Sequence, residues 1–176
     1  MKQYDLDKYL NNSKLLDEKI DEFIKKGILK IEKQNNDEIQ GHLLKSGRNL
    51  KFVNDVIKLN YFDWAITGCY YASYHSALAL ILTKNYSSKN HLATLLVIIK
   101  EFYNNGLDKE DIQTLINLLD YQDILFYVES KNKREDATYS TKTNYTKQEV
   151  EQLRIKATFF VSKIKSILGE NNVTFH

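Results

Sequence analysis

The sequence predicts an all-α fold, an up-and-down antiparallel helical bundle with an extra N-terminal helix. Three observations lead there. Apolar residues recur at spacings of three and four along nearly the whole chain, and strand-type alternation is almost absent. There is no proline, so no helix interior is interrupted by that route. The connections between long periodic segments are short, which favours antiparallel neighbours. A chain of 176 residues fits one domain and buries roughly 70% of its unfolded surface without staples.

The first helix is expected over Ser13 to Lys26, with Leu16, Ile20, Phe23 and Ile24 on one face and Gly27 at its end. Ile28 to Ile31 is too short to classify and is compatible with one more helical turn. Asn35, Asn36 and Asp37 supply cap chemistry for a second helix, whose stripe is Ile39, Leu43, Leu50, Val53 and Ile57. The third helix, about Asp63 to Lys84, carries a seam of small residues: Ala65, Cys69, Ala72, Ser76 and Ala79. Such a seam lets a neighbouring helix approach closely. Trp64, Tyr71, Leu78 and Leu82 on the adjoining face are expected to fill the core. Ser87 and Ser88 are expected to start a shorter helix carrying Leu92, Leu95, Leu96, Ile99 and Phe102.

The last two long helices are signed at their starts. Asp108 with Asp111 caps the first, Leu107 staples to Ile112, and Ile112, Leu115, Leu119 and Phe126 form its stripe. Thr146 with Glu149 is a capping box for the second, with Tyr145 and Val150 as its staple. Val150, Leu153, Ala157, Phe160, Ile164 and Ile167 then run without interruption to Gly169. The polar stretch from Lys131 to Asn144 has no apolar period, and packing does not explain its composition. The chain is expected to divide into an N-terminal helical extension (1–35), the bundle (36–170) and a flexible tail (171–176).

Composition excludes several functions. The single Cys69 allows no internal disulfide and no Cys-based zinc site. The four histidines, His42, His75, His91 and His176, are not at metal-ligand spacing, so neither a metal nor another cofactor is expected. The N-terminus lacks an apolar signal core, and the longest apolar run, Ala77 to Thr83, is far short of a membrane span. A cytoplasmic address and no membrane partner follow as expectations. A net charge of +2 is too mild to announce nucleic-acid binding alone. Walker, nucleophile-elbow, zincin and dinucleotide-loop signatures are missing.

Two segments survive this filter. The first is Tyr61 to Leu78, containing Asp63-Trp64-Ala65-Ile66, Tyr70-Tyr71-Ala72 and Tyr74-His75, followed by Ser88-Lys89-Asn90-His91. The second is Lys131-Asn132-Lys133-Arg134-Glu135-Asp136-Ala137-Thr138-Tyr139. In this order and at this separation they resemble the HEPN family (helical domains of prokaryotes and eukaryotes), in its stand-alone prokaryotic branch, over roughly Asn36 to Leu168. The resemblance implies a helical bundle, a homodimer, and pairing with a separately encoded nucleotidyltransferase antitoxin. This chain has no nucleotidyltransferase signature of its own. Many HEPN domains are metal-independent ribonucleases whose motif is an arginine followed, after four to six residues, by histidine.

Here Arg134 matches the arginine, and Tyr139 stands where the histidine would be. The change is chemical. Histidine, with an unperturbed pKa near 6.5, can take the proton of a ribose 2′-hydroxyl, whereas tyrosine, near 10, is a poor base. Arg134 still offers a planar fork for phosphate, Asp136 can orient it, and Lys131, Lys133 and Lys142 add a loose basic cluster. Glu129, Glu135 and Asp136 oppose that cluster, and a solvated surface explains such a mixed run equally well. Tyr71, Tyr74 and His75 are the candidate pocket-lining residues; a hydrogen-bonded core histidine is the plainer account of His75. The leading reading is a module that binds RNA or a nucleotide and works with the nucleotidyltransferase partner. The alternatives are a metal-independent ribonuclease using Arg134 and Tyr139, and a non-catalytic protein-interaction bundle.

Overall fold

The computed structural model describes the backbone of residues 6–132 and 145–169, and the side chains of residues 7–120 and 145–169. A short helix α1 (Leu6–Leu10) leads into α2 (Ser13–Lys25), strand β1 (Leu29–Ile31), α3 (Asn36–Lys58) and α4 (Phe62–Leu82). Strand β2 (Tyr86–Ser88), α5 (His91–Phe102), α6 (Lys109–Asn132) and α7 (Lys147–Ile167) complete the order. The architecture is the expected all-α bundle.

Local chemistry sets the helix ends. Asn12 and Asn35 accept hydrogen bonds from the first free amides of α2 and α3, from Leu15 at 2.9 Å and Asp37 at 3.0 Å. Asp108 and Asp111 cap each other reciprocally at the start of α6, with bonds of 2.8 and 3.0 Å. Thr146 and Glu149 form the full capping box of α7. Gly27 ends α2 and Gly169 follows α7, each with positive φ (66° and 77°), a conformation that suits glycine.

Helix α4 is the centre, packed against α3, α5, α6 and α7. Its small-residue seam is buried in full: Ala65, Cys69, Ala72, Ser76 and Ala79 expose nothing. The close approach is visible where Ser46 Oγ of α3 donates to the Ala72 carbonyl at 2.7 Å. Leu16, Ile20 and Phe23 of α2 join one core cluster with residues of α4, α5, α6 and α7. A second cluster joins α3 (Leu50, Val53, Val56, Ile57) to α4 and α7.

Three expectations are corrected. Leu29 to Ile31 is a strand rather than a helical turn, pairing antiparallel with Tyr86 to Ser88 in the register Leu29↔Ser88. Ser87 and Ser88 therefore belong to that strand, and the next helix begins at His91 under an Asn90 cap. A hydrophobic Leu29 in so short a segment can be buried by either conformation, and only the partner strand selects one. Finally, Trp64 and Tyr71 do not fill the core: they are 60% and 41% exposed on the outer face of α4. Among the described residues no helix covers that side.

Candidate functional site

On α4, Tyr70, Tyr71, Tyr74 and His75 follow one another over one turn and a half, and the helix pitch gathers them on neighbouring faces. Helix α3 runs alongside and delivers His42; the start of α5 delivers His91. His42 Nδ1 lies 2.9 Å from His75 Nδ1, and Tyr71 stacks on His75 with centroids 6.3 Å apart. Tyr70 bonds His91 Nε2 at 2.8 Å, while Tyr74 stacks with Tyr70 and meets His91 edge-on. The result is a continuous strip, His42–His75–Tyr71–Tyr70–Tyr74–His91.

The two ends of the strip differ. Tyr70 and Tyr74 are buried at 6% and 8% exposure, and His91 seals them at the helix start. His42 and His75 are half-buried and Tyr71 is exposed. Burial is the main cause that holds both imidazoles neutral, pushing His75 down to about 4 and His42 below its usual value. The Lys45 ammonium adds to this at both rings, and Glu38 opposes it at His42. Glu38, His42 and Lys89 line a cleft of about 190 Å³ beside the pair.

The outer face beyond the pair is basic and aromatic. Lys45, Arg48 and Phe52 of α3 share one face at spacings of three and four. Across the groove, Trp64, Gly68, Tyr71 and His75 share the facing side of α4, and Phe52 lies against Gly68. Among the described residues no acid is ion-paired with Lys45 or Arg48.

A second cavity, of about 350 Å³, opens between α4, α6 and the start of α7, lined in part by Thr114, Asn117, Tyr145, Gln152 and Lys156. It adjoins the end of the polar segment at residue 145. Of the residues singled out from sequence, Lys133, Arg134, Asp136, Tyr139 and Lys142 lie outside the described residues, as does the Lys131 side chain in the last turn of α6. Tyr71, Tyr74 and His75 do come together. Sequence reasoning missed His42 and Lys45, because partners separated by 33 residues leave no local signal. The only hint was that His42 sits one position from the buried stripe residue Leu43. Among the described residues no three metal-ligating side chains are gathered, and no helix is long and apolar enough to cross a membrane.

A family model described as the HEPN domain matches residues 39–167. The chain belongs to the HEPN family. Two proteins of Methanocaldococcus jannaschii, each named as a candidate toxin, are similar to this HEPN chain. One is 29% identical over 136 residues, covering 77% of this chain and 85% of the relative. The other is 30% identical over 140 residues, covering 80% and 96%. The matched span of this HEPN chain runs from α3 to the last residue of α7, and so contains His42, the α4 strip and His91.

Proposed function

We propose that this chain is a HEPN-type toxin module that binds RNA or a nucleotide and is held in check by a separately encoded nucleotidyltransferase antitoxin. The toxin assignment draws on the family and on the two named relatives. The observation that carries the binding reading is the outer surface of α3 and α4, on which Tyr71 and Trp64 of α4 and Lys45 and Arg48 of α3 are all exposed. Exposed aromatic rings stack on unpaired bases, and unpaired cations meet phosphates. Arg134, Asp136 and Tyr139, with Lys131, Lys133 and Lys142, extend this reading as the phosphate-binding segment, and two copies of that segment meet in a two-fold homodimer.

The test is fluorescence anisotropy with a labelled single-stranded RNA. Binding should weaken steeply with salt, because phosphate contacts release counterions. Arg134→Ala should cost about 1–3 kcal/mol, the range for a lost charge-assisted contact. Absence of binding at low salt, with Arg134→Ala matching wild type, leaves a protein-interaction bundle. Light scattering that gives a monomer at high concentration removes the dimer.

A further inference from the structure

In the turn Ser88-Lys89-Asn90-His91 three side chains have a part in the fold. Ser88 donates to the Ile28 carbonyl at 3.1 Å and accepts from the Asn90 amide at 3.0 Å. Asn90 caps α5 through the Ala93 amide at 2.9 Å, and His91 bonds Tyr70 at 2.8 Å. Lys89 has no such part: it is exposed and, among the described residues, ion-paired with no acid. We propose that Lys89, Lys30 and Ser87 form a binding site for a phosphomonoester in the cavity between β1 and the start of α5. This site stands apart from the outer face of α3 and α4 and does not depend on RNA binding there.

The two-stranded ribbon brings the three side chains together. Leu29 pairs with Ser88 and Lys30 with Ser87. Leu29 and Ser88 turn inward, at 1% and 9% exposure. Alternation therefore turns Lys30 and Ser87 outward, and Lys89, the next residue beyond β2, to the same side. Directly opposed residues on paired strands hold their β-carbons about 5 Å apart, and diagonal ones lie within about 8 Å. Two flexible lysine stems can close over that span around one small anion. All three side chains line a cavity of about 470 Å³ together with Gly27 and Asn90, within the size range of small-molecule sites. Gly27, Ile28 and Lys30 precede residue 39, where the HEPN match begins, so one wall of the site lies outside the matched domain.

The fold itself does not call for two cations here. The carbonyls at the end of α2 are already met, Ile24 by the Gly27 amide and Phe23 by the Ile28 amide, at 3.0 Å each. Lys30 reaches Glu32 only at 3.9 Å, between two largely exposed side chains, and such a pair contributes little. Like charges facing each other across paired strands are destabilising, and an anion seated between them removes that repulsion. A phosphomonoester fits the charge, since it carries close to two negative charges at neutral pH. Its oxygens can accept from the two ammoniums, which give the stronger, charge-assisted class of hydrogen bond. The Ser87 hydroxyl has no partner among the described residues, and Asn90, whose Oδ1 is held by the α5 cap, keeps its amide hydrogens; both are further donors.

A phosphomonoester reaches the protein as a free mononucleotide or as the 5′ end of an RNA, and one experiment separates the two. The full chain, labelled with ¹⁵N, is titrated at low salt with inorganic phosphate, AMP and adenosine, and its amide resonances are followed by NMR. Phosphate and AMP should shift the amides of Gly27 to Lys30 and Ser87 to His91, and adenosine should leave them in place. Lys30→Gln and Lys89→Gln should each weaken AMP binding about tenfold or more, and Ser87→Ala a few-fold. Lys25→Gln, which removes an equal charge from the exposed end of α2, should bind as wild type does. A 5′-phosphorylated oligoribonucleotide that binds better than its 5′-hydroxyl counterpart, in wild type but not in Lys89→Gln, identifies the RNA end as the ligand. Equal binding of the two strands, with AMP still shifting the cavity, identifies the free nucleotide. No shift with phosphate or AMP, shifts confined to α3 and α4, an adenosine response equal to that of AMP, or AMP binding untouched by both lysine substitutions overturns the site. None of these outcomes bears on RNA binding by the α3 and α4 face.

Discussion

Gly68 of α4 lies so close to Val53 of α3 that a β-carbon added to it would stand 2.6 Å from Val53 Cγ2. Phe52 Cδ1 would be 3.2 Å away. Val53 is fully buried and cannot move aside. Gly68→Ala is therefore expected to destabilise the chain by about 1–3 kcal/mol despite its better helix propensity. Gly41, in α3, has nothing within 4 Å of the same added atom. Gly41→Ala should stabilise by about 0.5–1 kcal/mol. Urea unfolding of both variants checks the pair of signs, and a stable Gly68→Ala would mean that the two helices are further apart than described.

Ala72 is the midpoint of the small-residue seam, and its carbonyl takes the Ser46 hydroxyl. Ala72→Leu should cost roughly 1–3 kcal/mol, since three added heavy atoms have no space between α3 and α4. Thermal melting followed by circular dichroism gives the value. A wild-type melting temperature would place the seam in water.

Tyr74 shows the opposite case, a polar atom that the fold pairs poorly. Its hydroxyl is buried and makes no well-formed hydrogen bond among the described residues. Its nearest polar neighbour is Thr94, whose hydroxyl donates to the Asn90 carbonyl at 3.0 Å, keeps a lone pair to accept from the phenol, and tempers the upward push that burial gives it. Tyr74→Phe keeps the ring and removes the poorly paired oxygen. It should be neutral or stabilising by up to about 1 kcal/mol. A clear loss of stability would reveal a partner for that hydroxyl.

Acid should weaken the fold through His42 and His75. Both rings are held below the usual imidazole value of 6.5 in the folded chain, His75 at about 4. The unfolded chain takes up these protons near 6.5, so it holds more of them in between. Stability is complete above about pH 6.5 and is lost as pH falls toward 4, a loss tempered by solvent screening because both rings are only half-buried. Melting temperatures between those limits should slope downward for wild type and less steeply for the double variant His42→Gln, His75→Gln. Equal slopes would assign the acid sensitivity to other groups.

Much of the architecture is local and was legible as such. Asn35, Asp108 with Asp111, and Thr146 with Glu149 cap helices within three residues of sequence, so their chemistry does not depend on the rest of the chain. The stripes of α3 and α7 are amphipathic, and one hydrophobic face tells which side turns inward. Helix α4 is different, because it is apolar nearly all round. Its composition says that the helix is central and cannot say which side lacks a neighbour. The tertiary arrangement left Trp64 and Tyr71 outside, against expectation.

The sequence by itself determined the long helices, the caps of α3, α6 and α7, the buried seam and the family, because each is written in spacings shorter than one element or in an ordered set of motifs. The tertiary structure alone decided the rest. Leu29 to Ile31 became a strand only because Tyr86 to Ser88 lies within reach to pair with it. His42 and His75 became one unit only because α3 and α4, antiparallel and pressed together at Gly68 and Ala72, bring side chains 33 residues apart to 2.9 Å. A contact of that kind is fixed by the packing of two whole helices, and no spacing along the chain encodes it.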